Sequence, residues 1–422
     1  MAESSSRSLL SLPLLVLEGV AKALCPHCTE NQEPCHWEPP MFFRGGYANT
    51  DALANLAATC KNLYAIVTPV LYHQPEGLPG RCVSLLRTLA ARPDLARRVK
   101  VLRLDFDMDA KIENEDDRAF VLELAERHGL PTAPQTDTDI EDGAGRDRTA
   151  SERLEEDFPM NLLVAMCPNL EKFSTGLDYF FEFRLLRPAT LPHLKDVYVA
   201  HRDTELGIHL ESLRGLYLAA PYMEAFTSYM TASVGAETMS LANMRHLRLG
   251  LSCISTRCLR TLLRSCPQLE SFAYDAGGGI IGDEQFSIAS LVKLLLRYVP
   301  RLKHLDLDFQ HDAGMSDWDE EDDGDDGHDP EPAPGFASLS YLETLVVDPE
   351  ILDNWDEQQP AAMLFPQSLK CLTVIAGDVL AKLGSHDIKT FASTARSLRP
   401  NLTFIAIHDG YGTDRSRSVQ VL

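Results

Sequence analysis

One short pattern, Leu-x-x-Leu-x-Leu, recurs along this 422-residue chain and limits its fold more than any other feature. Named by their first, fourth and sixth positions, the copies begin with Val99, Leu102, Leu104, then Leu170, Phe173, Thr175, then Leu194, Val197, Val199, and Leu213, Leu216, Leu218. They continue with Met244, Leu247, Leu249, then Leu269, Phe272, Tyr274, and Leu302, Leu305, Leu307. The last are Leu342, Leu345, Val347, then Leu369, Leu372, Val374, and Leu402, Ile405, Ile407. Apolar residues two apart predict a strand with one buried face. The steps between first positions are 71, 24, 19, 31, 25, 33, 40, 27 and 33 residues, most of them within the roughly 20 to 50 residues typical of stacked repeat units.

Helical runs precede several copies, at Leu162 to Cys167, Arg257 to Cys266, Ile288 to Val299 and Ile388 to Leu398. Each gives way to proline, in Cys167-Pro-Asn-Leu, Cys266-Pro-Gln-Leu, Val299-Pro-Arg-Leu and Arg399-Pro-Asn-Leu, which ends the helix and launches the strand. A unit of this kind cannot bury its apolar face alone, so stacking must create the core. Residues 82–409 resemble the irregular leucine-rich repeats of F-box proteins. The resemblance implies an α/β solenoid, a horseshoe with a parallel sheet on its concave side. The competing doubly wound α/β domain needs phosphate-loop glycines, and Gly277-Gly-Gly279 lacks their spacing. Two acidic stretches, 132–157 and 312–335, are expected to be mobile loops within the array, and 410–422 a tail.

The N-terminal residues follow another period. Leu12 to Leu24 predict a short helix with Leu12, Leu15, Val16, Gly19, Val20 and Ala23 on one side. Leu53, Leu56, Cys60, Leu63, Tyr64 and Val67 predict a second helix, stopped by Pro69. The Cys-, His- and Pro-rich stretch 25–49 between them fits no period, and Val83 to Leu95 read as a further helix. Leu12-Pro13 opening a helix, the leucine-spaced run ending in Cys60-Lys61-Asn-Leu63-Tyr64, and Pro69-Val-Leu71-Tyr72 resemble the F-box of fungal F-box proteins. That module, spanning 9–75 with 25–49 as an insertion, implies an all-α unit that docks on the adaptor subunit of an SCF-type cullin-RING ubiquitin ligase. By the same resemblance the adaptor contacts are Leu12, Pro13, Leu15, Val16, Leu53, Leu56, Leu63, Tyr64, Pro69 and Leu71, and the repeats hold the protein to be ubiquitinated. The chain itself then catalyses nothing. The alternative is a leucine-rich-repeat interaction scaffold that never meets a ligase, with Leu12 to Leu17 packed inward.

Acidic residues number 62 against 39 basic ones, and a net charge of -23 repels phosphate backbones, which argues against nucleic acid. Ten cysteines in a chain this long, several on apolar faces, fit a reducing intracellular compartment, cytoplasm or nucleus. No apolar run is long enough to span a membrane. Arg7, Leu9 to Leu17 and Ala21-Lys22-Ala23 imitate a secretory leader, but Pro13 and Glu18 interrupt it.

Chemistry concentrates at Cys25-Pro-His27-Cys28 and Cys35-His36. Two thiolates at Cys-x-x-Cys spacing can grip one zinc ion, with Cys35 and either His36 or His27 completing a tetrahedron. The tetrapeptide also resembles thioredoxin-like active sites, which need a preceding strand and an activated Cys25. Asp319, Glu321, Asp323 and Gly324 begin like a calcium loop, but Pro330 stands where a bidentate carboxylate is required. Substrate contacts are expected from solvent-facing strand positions, Lys195, Arg214, Arg248, Asp306 and Lys370 among them.

Overall fold

The computed structural model describes residues 12–29, 47–77, 82–104, 112, 114–130, 140–141, 147–148, 150–177, 181–201, 207–234, 241–277, 286–309, 335–347, 365–375, 396–397, 399–408 and 418–420. Within these the fold is α/β with a large parallel sheet. The chain forms two compact units, Met1–Thr175 with Arg184–Leu194, and Gly176–Phe183 with Lys195–Leu422.

The first unit opens with helix α1 (Leu14–Leu24), led by Pro13, whose carbonyl accepts the Val16 and Leu17 amides. Proline suits a helix start because its missing N–H would be unpaired there anyway. Helix α2 (Pro26–Thr29) follows, then α3 (Tyr47–Thr59) and α4 (Lys61–Leu71), so both ends of the stretch expected to be aperiodic are helical. The single helix expected over Leu53 to Val67 is two helices. Cys60 is extended at φ -162° and its carbonyl accepts the Tyr64 amide, which starts α4. Pro69 does not stop α4 but sits in its last turn, where only one backbone bond is forfeited. Ala21, Cys25, Leu53, Ala57, Val67 and Val70 form one buried cluster, with Leu24, Leu56 and Leu71 against it.

Strand β1 (Glu76–Gly77) then leads to α5 (Cys82–Ala91) and α6 (Pro93–Ala96), which replace the one helix expected over Val83 to Leu95. Pro93 cannot continue α5 but occupies the first turn of α6. Strand β2 (Val101–Leu104) is followed by α7 (Glu115–Arg127), whose first turn Asn114 caps by accepting the Asp116 amide. A hairpin, β3 (Ile140–Glu141) with β4 (Asp147–Arg148), and the beginning of α8 (Ala150–Met166) lie inside the expected acidic loop 132–157, so much of it is regular structure. Strand β5 (Lys172–Leu177) closes the set, and β1, β2 and β5 pair in parallel.

In the second unit β6 (Asp196–His201) precedes β7 (Ile208–His209), a 3-10 turn at Leu210–Leu213, α9 (Arg214–Ala219), β8 (Ala225–Tyr229) and β9 (Thr231–Ser233). Next come β10 (His246–Ser252), α10 (Thr256–Ser265), β11 (Ser271–Ala276), α11 (Ile288–Tyr298) and β12 (His304–Asp308). The described strands end with β13 (Thr344–Val347), β14 (Cys371–Ile375), β15 (Phe404–His408) and β16 (Ser418–Gln420). Strands β6, β8 and β10 to β15 pair in parallel in chain order, while β16, within the expected tail, adds antiparallel to β15. Strands β7 and β9 pair separately.

Nine of the expected copies are strands. The copy at Leu213, Leu216 and Leu218 is helix instead, because leucines at those spacings also satisfy a 3.6-residue period. The strand it displaced is β8, where Met223, Phe226 and Ser228 hold the three positions and buried Ser228 hides the pattern. Of the helix expected over Ile388 to Leu398 only 396–397 are described, as helix, and nearly all of 312–335, including the calcium-like loop, lies outside the described residues.

Each strand's start has a common construction. Turns bring the amides of Leu194, Met223, Leu269, Leu302 and Leu402 to the carbonyls three residues earlier, with proline second in each of these turns. At the starts of β6, β8 and β10 to β14 the residue after the leucine or methionine carries charge, and its sign alternates from strand to strand: Lys195, Glu224, Arg245, Glu270, Lys303, Glu343, Lys370. Each of these amides from Glu224 onward donates to the preceding member's carbonyl. Side chains pair at 2.9 Å for Lys195–Glu224, 2.7 Å for Lys303–Glu270 and 2.8 Å for Lys370–Glu343, while Arg245–Glu270 is looser at 3.7 Å. Beyond it, Val197, Phe226, Leu247, Phe272, Leu305, Leu345, Leu372 and Ile405 align in one buried row, each side chain contributing about 1.5–3 kcal/mol by leaving water.

Candidate functional site

The densest chemistry lies in the first unit, where Cys25, His27, Cys28 and His73 bring their ligand atoms within 4.8 Å of one another. Local structure explains the first three: α1 ends at Leu24, buried Cys25 joins the helical core, and α2 turns His27 and Cys28 back toward the end of α4. His73 arrives just past α4, its amide on the Val70 carbonyl and its own carbonyl accepting the Lys100 and Val101 amides that begin β2. The His73 Nδ1 lies 3.4 Å from Cys28 Sγ and 3.9 Å from Cys25 Sγ, and the His27 Nδ1 is 3.7 Å from Cys28 Sγ. The two imidazoles meet edge to face with centroids 5.4 Å apart. On its far side His27 Nε2 is 3.3 Å from Glu171 Oε2, and Lys100 Nζ donates to Glu171 Oε1 at 2.7 Å.

The electrostatics of the four groups are interlocked. Burial pushes the Cys25 thiol up, but hydrogen bonds with His27, His73 and Cys28 outweigh it and leave the thiol at about 6. Cys28 is pushed up to about 11, by burial and by the adjacent Cys25 thiolate. The Cys25 hydrogen bond raises His27 above its ordinary value against its burial, with Glu171 adding to the rise. Glu171, although burial opposes it, is held below the usual carboxylate range by Lys100 and His27.

This arrangement can hold a metal ion. It does not suit disulfide exchange, which needs an activated thiol at the surface. Here the activated Cys25 is 1% exposed while the accessible Cys28 is the thiol pushed up, and a helix rather than a strand precedes the pair. Of the ligands expected from sequence, Cys25 and Cys28 belong to the cluster, while Cys35 and His36 lie outside the described residues. His73, missing from that expectation, has no motif around it; only its position directly after Pro69-Val-Leu71-Tyr72 places it opposite α2.

The residues expected to meet an adaptor divide by burial. Leu12, Pro13, Leu15, Val16 and Tyr64 are exposed, Leu15 at 80%, and so are Leu14 and Val20, which the expectation omitted. Leu17 and Ala21 turn the other side of α1 inward. Leu53 and Leu63 are 1% and 2% exposed and serve the module's own packing, so neither offers a partner any surface. Leu56, Pro69 and Leu71 are half-buried between the two groups.

The residues expected to meet a substrate also separate. Arg248 and Asp306 stand in one row across the face of the second unit's sheet opposite its leucines, with Tyr198, Thr227 and Ala273 aligned between and beside them. Arg248 and Asp306 approach to 4.0 Å across β11. Tyr198 and Tyr229 bring their rings to 5.5 Å on the same face, and Gly250 makes room, since a Cβ there would sit 2.4 Å from the Tyr229 ring. Lys195 and Lys370 belong to the charged row at the strand starts, paired with Glu224 and Glu343. Arg214 lies on α9, not on a strand.

No described helix is long and apolar enough to cross a membrane. Compared with known proteins, the chain matches no family model and no curated protein.

Proposed function

We propose that this chain is the substrate-recognition subunit of an SCF-type cullin-RING ubiquitin ligase, with the N-terminal helices docking on the adaptor and the repeats binding the target. The observation that carries the reading is the outward apolar surface of α1 and its lead-in, where Leu12 before the helix and Leu14, Leu15, Val16 and Val20 on it are exposed together. An apolar face of that kind on an intracellular protein calls for a partner. A scaffold without a ligase would turn Leu12 to Leu17 inward, whereas only Leu17 of the helix's first turn is buried.

In this reading the parallel strands, paired in chain order, belong to a leucine-rich-repeat solenoid whose open face recognises the target. The row around Tyr198, Arg248 and Asp306 supplies aromatic and charged contacts of the kind that dominate protein interfaces. The chain is not an enzyme; it acts in cytoplasm or nucleus by raising the local concentration of target lysines near a ubiquitin-conjugating enzyme. The ion suited to its Cys/His cluster is zinc, in a structural role.

Co-purification with the ligase adaptor tests the docking. Wild type is expected to retain the adaptor, and Leu15→Asp with Val16→Asp to lose it at least a hundredfold while keeping the helical circular dichroism. Failure of wild type to bind the adaptor sinks the ligase reading and leaves the scaffold. Substitutions at Leu53 are uninformative here because they attack the core.

A further inference from the structure

We infer that Cys25, His27, Cys28 and His73 together bind one zinc ion, with Glu171 and Lys100 as its outer shell. The inference rests on the zinc reading above and not on the ligase reading. It replaces Cys35 and His36 with ligands from two separated parts of the first unit, so the ion ties the end of α1 to the turn where α4 meets β2.

Donor chemistry selects the ion. Two thiolates and two imidazoles match structural zinc sites, and the absence of oxygen donors among the four disfavours calcium and magnesium. Geometry agrees. Around a tetrahedral ion with bonds of about 2.3 Å to sulfur and about 2.0 Å to nitrogen, a sulfur and a nitrogen lie roughly 3.5 Å apart. Three of the four sulfur–nitrogen separations are 3.4, 3.7 and 3.9 Å, and all four ligand atoms lie within 4.8 Å of one another, so the ligands converge with only small side-chain rotations still to make.

The outer shell has the form that metal-bound histidines usually take. Glu171 engages His27 Nε2, which assigns the proton to that nitrogen and leaves Nδ1 for the ion. Lys100 fixes the carboxylate from its other oxygen, and its amide shares the His73 carbonyl with that of Val101. Both histidine ligands are therefore oriented by the same neighbourhood at the start of β2. All four donors come from the protein, which describes a closed structural site with no open position for substrate.

The test uses the full chain, purified under reducing conditions, loaded with zinc, dialysed and measured by elemental mass spectrometry. Wild type is expected to retain one zinc per chain. His73→Ala and the surface variant Cys28→Ser are each expected to lose it, while Cys35→Ser and His36→Ala retain it. Cobalt substitution checks the donors without relying on any variant's folding, since thiolate-to-cobalt charge transfer and a strong tetrahedral visible band are expected in wild type. Glu171→Gln is expected to keep the stoichiometry but to weaken zinc about ten- to a hundredfold in chelator competition. If wild type retains no zinc and gives no such cobalt spectrum, the zinc reading falls altogether. If His73→Ala keeps its zinc while Cys35→Ser or His36→Ala loses it, zinc stands and this ligand set falls.

Discussion

The N-terminal helices and the second unit's sheet solve the same problem by different means. The sheet repeats one solution: a turn, a charged residue of alternating sign, then a strand whose fourth and sixth positions enter the core. The helical module has a cluster of six buried residues at its centre and no repeat to extend it. It carries instead a Cys/His cluster placed where its helices meet the first strands. The two schemes touch at Glu171. Lys100–Glu171 has the distance of a rung in the charged row, 2.7 Å like Lys303–Glu270, but its second oxygen turns to His27 where Glu270's neighbourhood offers Arg245. A periodic part is stabilised by many equivalent contacts, and a small aperiodic one by a few that cannot be exchanged.

Removing one buried side chain from each region is the strongest way to break that comparison. Phe272→Ala empties the centre of the aligned row and is expected to cost about 3–5 kcal/mol, and Leu53→Ala in the module about 2–5 kcal/mol. Their separability is the informative outcome. Hydrogen exchange should quicken across β10 to β12 for Phe272→Ala and across α1, α3 and α4 for Leu53→Ala, each leaving the other region protected. Uniform loss of protection in both variants would mean that the two regions unfold as one.

The same contrast governs what could be read in advance. Leu269, Phe272 and Tyr274 announce β11 because proline, leucine spacing and strand alternation agree on it. At Leu213 to Leu218 those cues conflict, since the leucines fit a helix as well as a strand and no proline precedes them. The true strand carries the other marks: Pro221 sits in its turn, and Glu224 falls between Lys195 and Arg245 in the alternation of charge. Its sixth position is Ser228, buried and accepting a hydrogen bond from the Thr231 hydroxyl, so a search for leucine passes over it. In the Cys/His cluster, Cys25 and Cys28 are visible as local spacing, whereas His73 stands 45 residues beyond Cys28 and only folding brings it there. The break at Cys60 has no glycine or proline to signal it; tertiary packing of two short helices decides it.

Charge reversal in the row at the strand starts tests whether alternation sets strand order or merely decorates it. Glu270 lies between Lys303 and Arg245, which hold its carboxylate below the usual range. Glu270→Lys would place three cations side by side and is expected to destabilise the second unit by about 1–2 kcal/mol, the sum of a lost partly exposed pair and a new repulsion. Denaturant midpoints in low salt and in 1 M salt measure it. The penalty should shrink with salt, because exposed charges are screened, while the Phe272→Ala penalty should not. A deficit equally large in high salt would mean that Glu270 acts through packing instead of charge.

The smallest expected effect is one of pH, and it too separates the regions. His246 and His304 flank Ser271 in register at the starts of β10 and β12, and burial holds both below their ordinary value of 6.5. Charges of the same row act in both directions: Glu270 and Glu224 raise His246 while His304 and Arg245 lower it further, and Glu343 and Glu270 raise His304 while Lys303 and Lys370 lower it further. Because both folded values lie below the unfolded one, the unfolded chain binds protons first, so the second unit should lose stability as pH falls through 6.5. The row's carboxylates act in a separate window: Glu270 and Glu343 are shifted down from 4.5, and their contribution is lost only below that value. Thermal unfolding at pH 7.5 and pH 5.5 should therefore show a modest fall that His246→Gln with His304→Gln removes. A fall of the same size in that double variant would place the responsible titration elsewhere and detach the charged row from the pH response of the sheet.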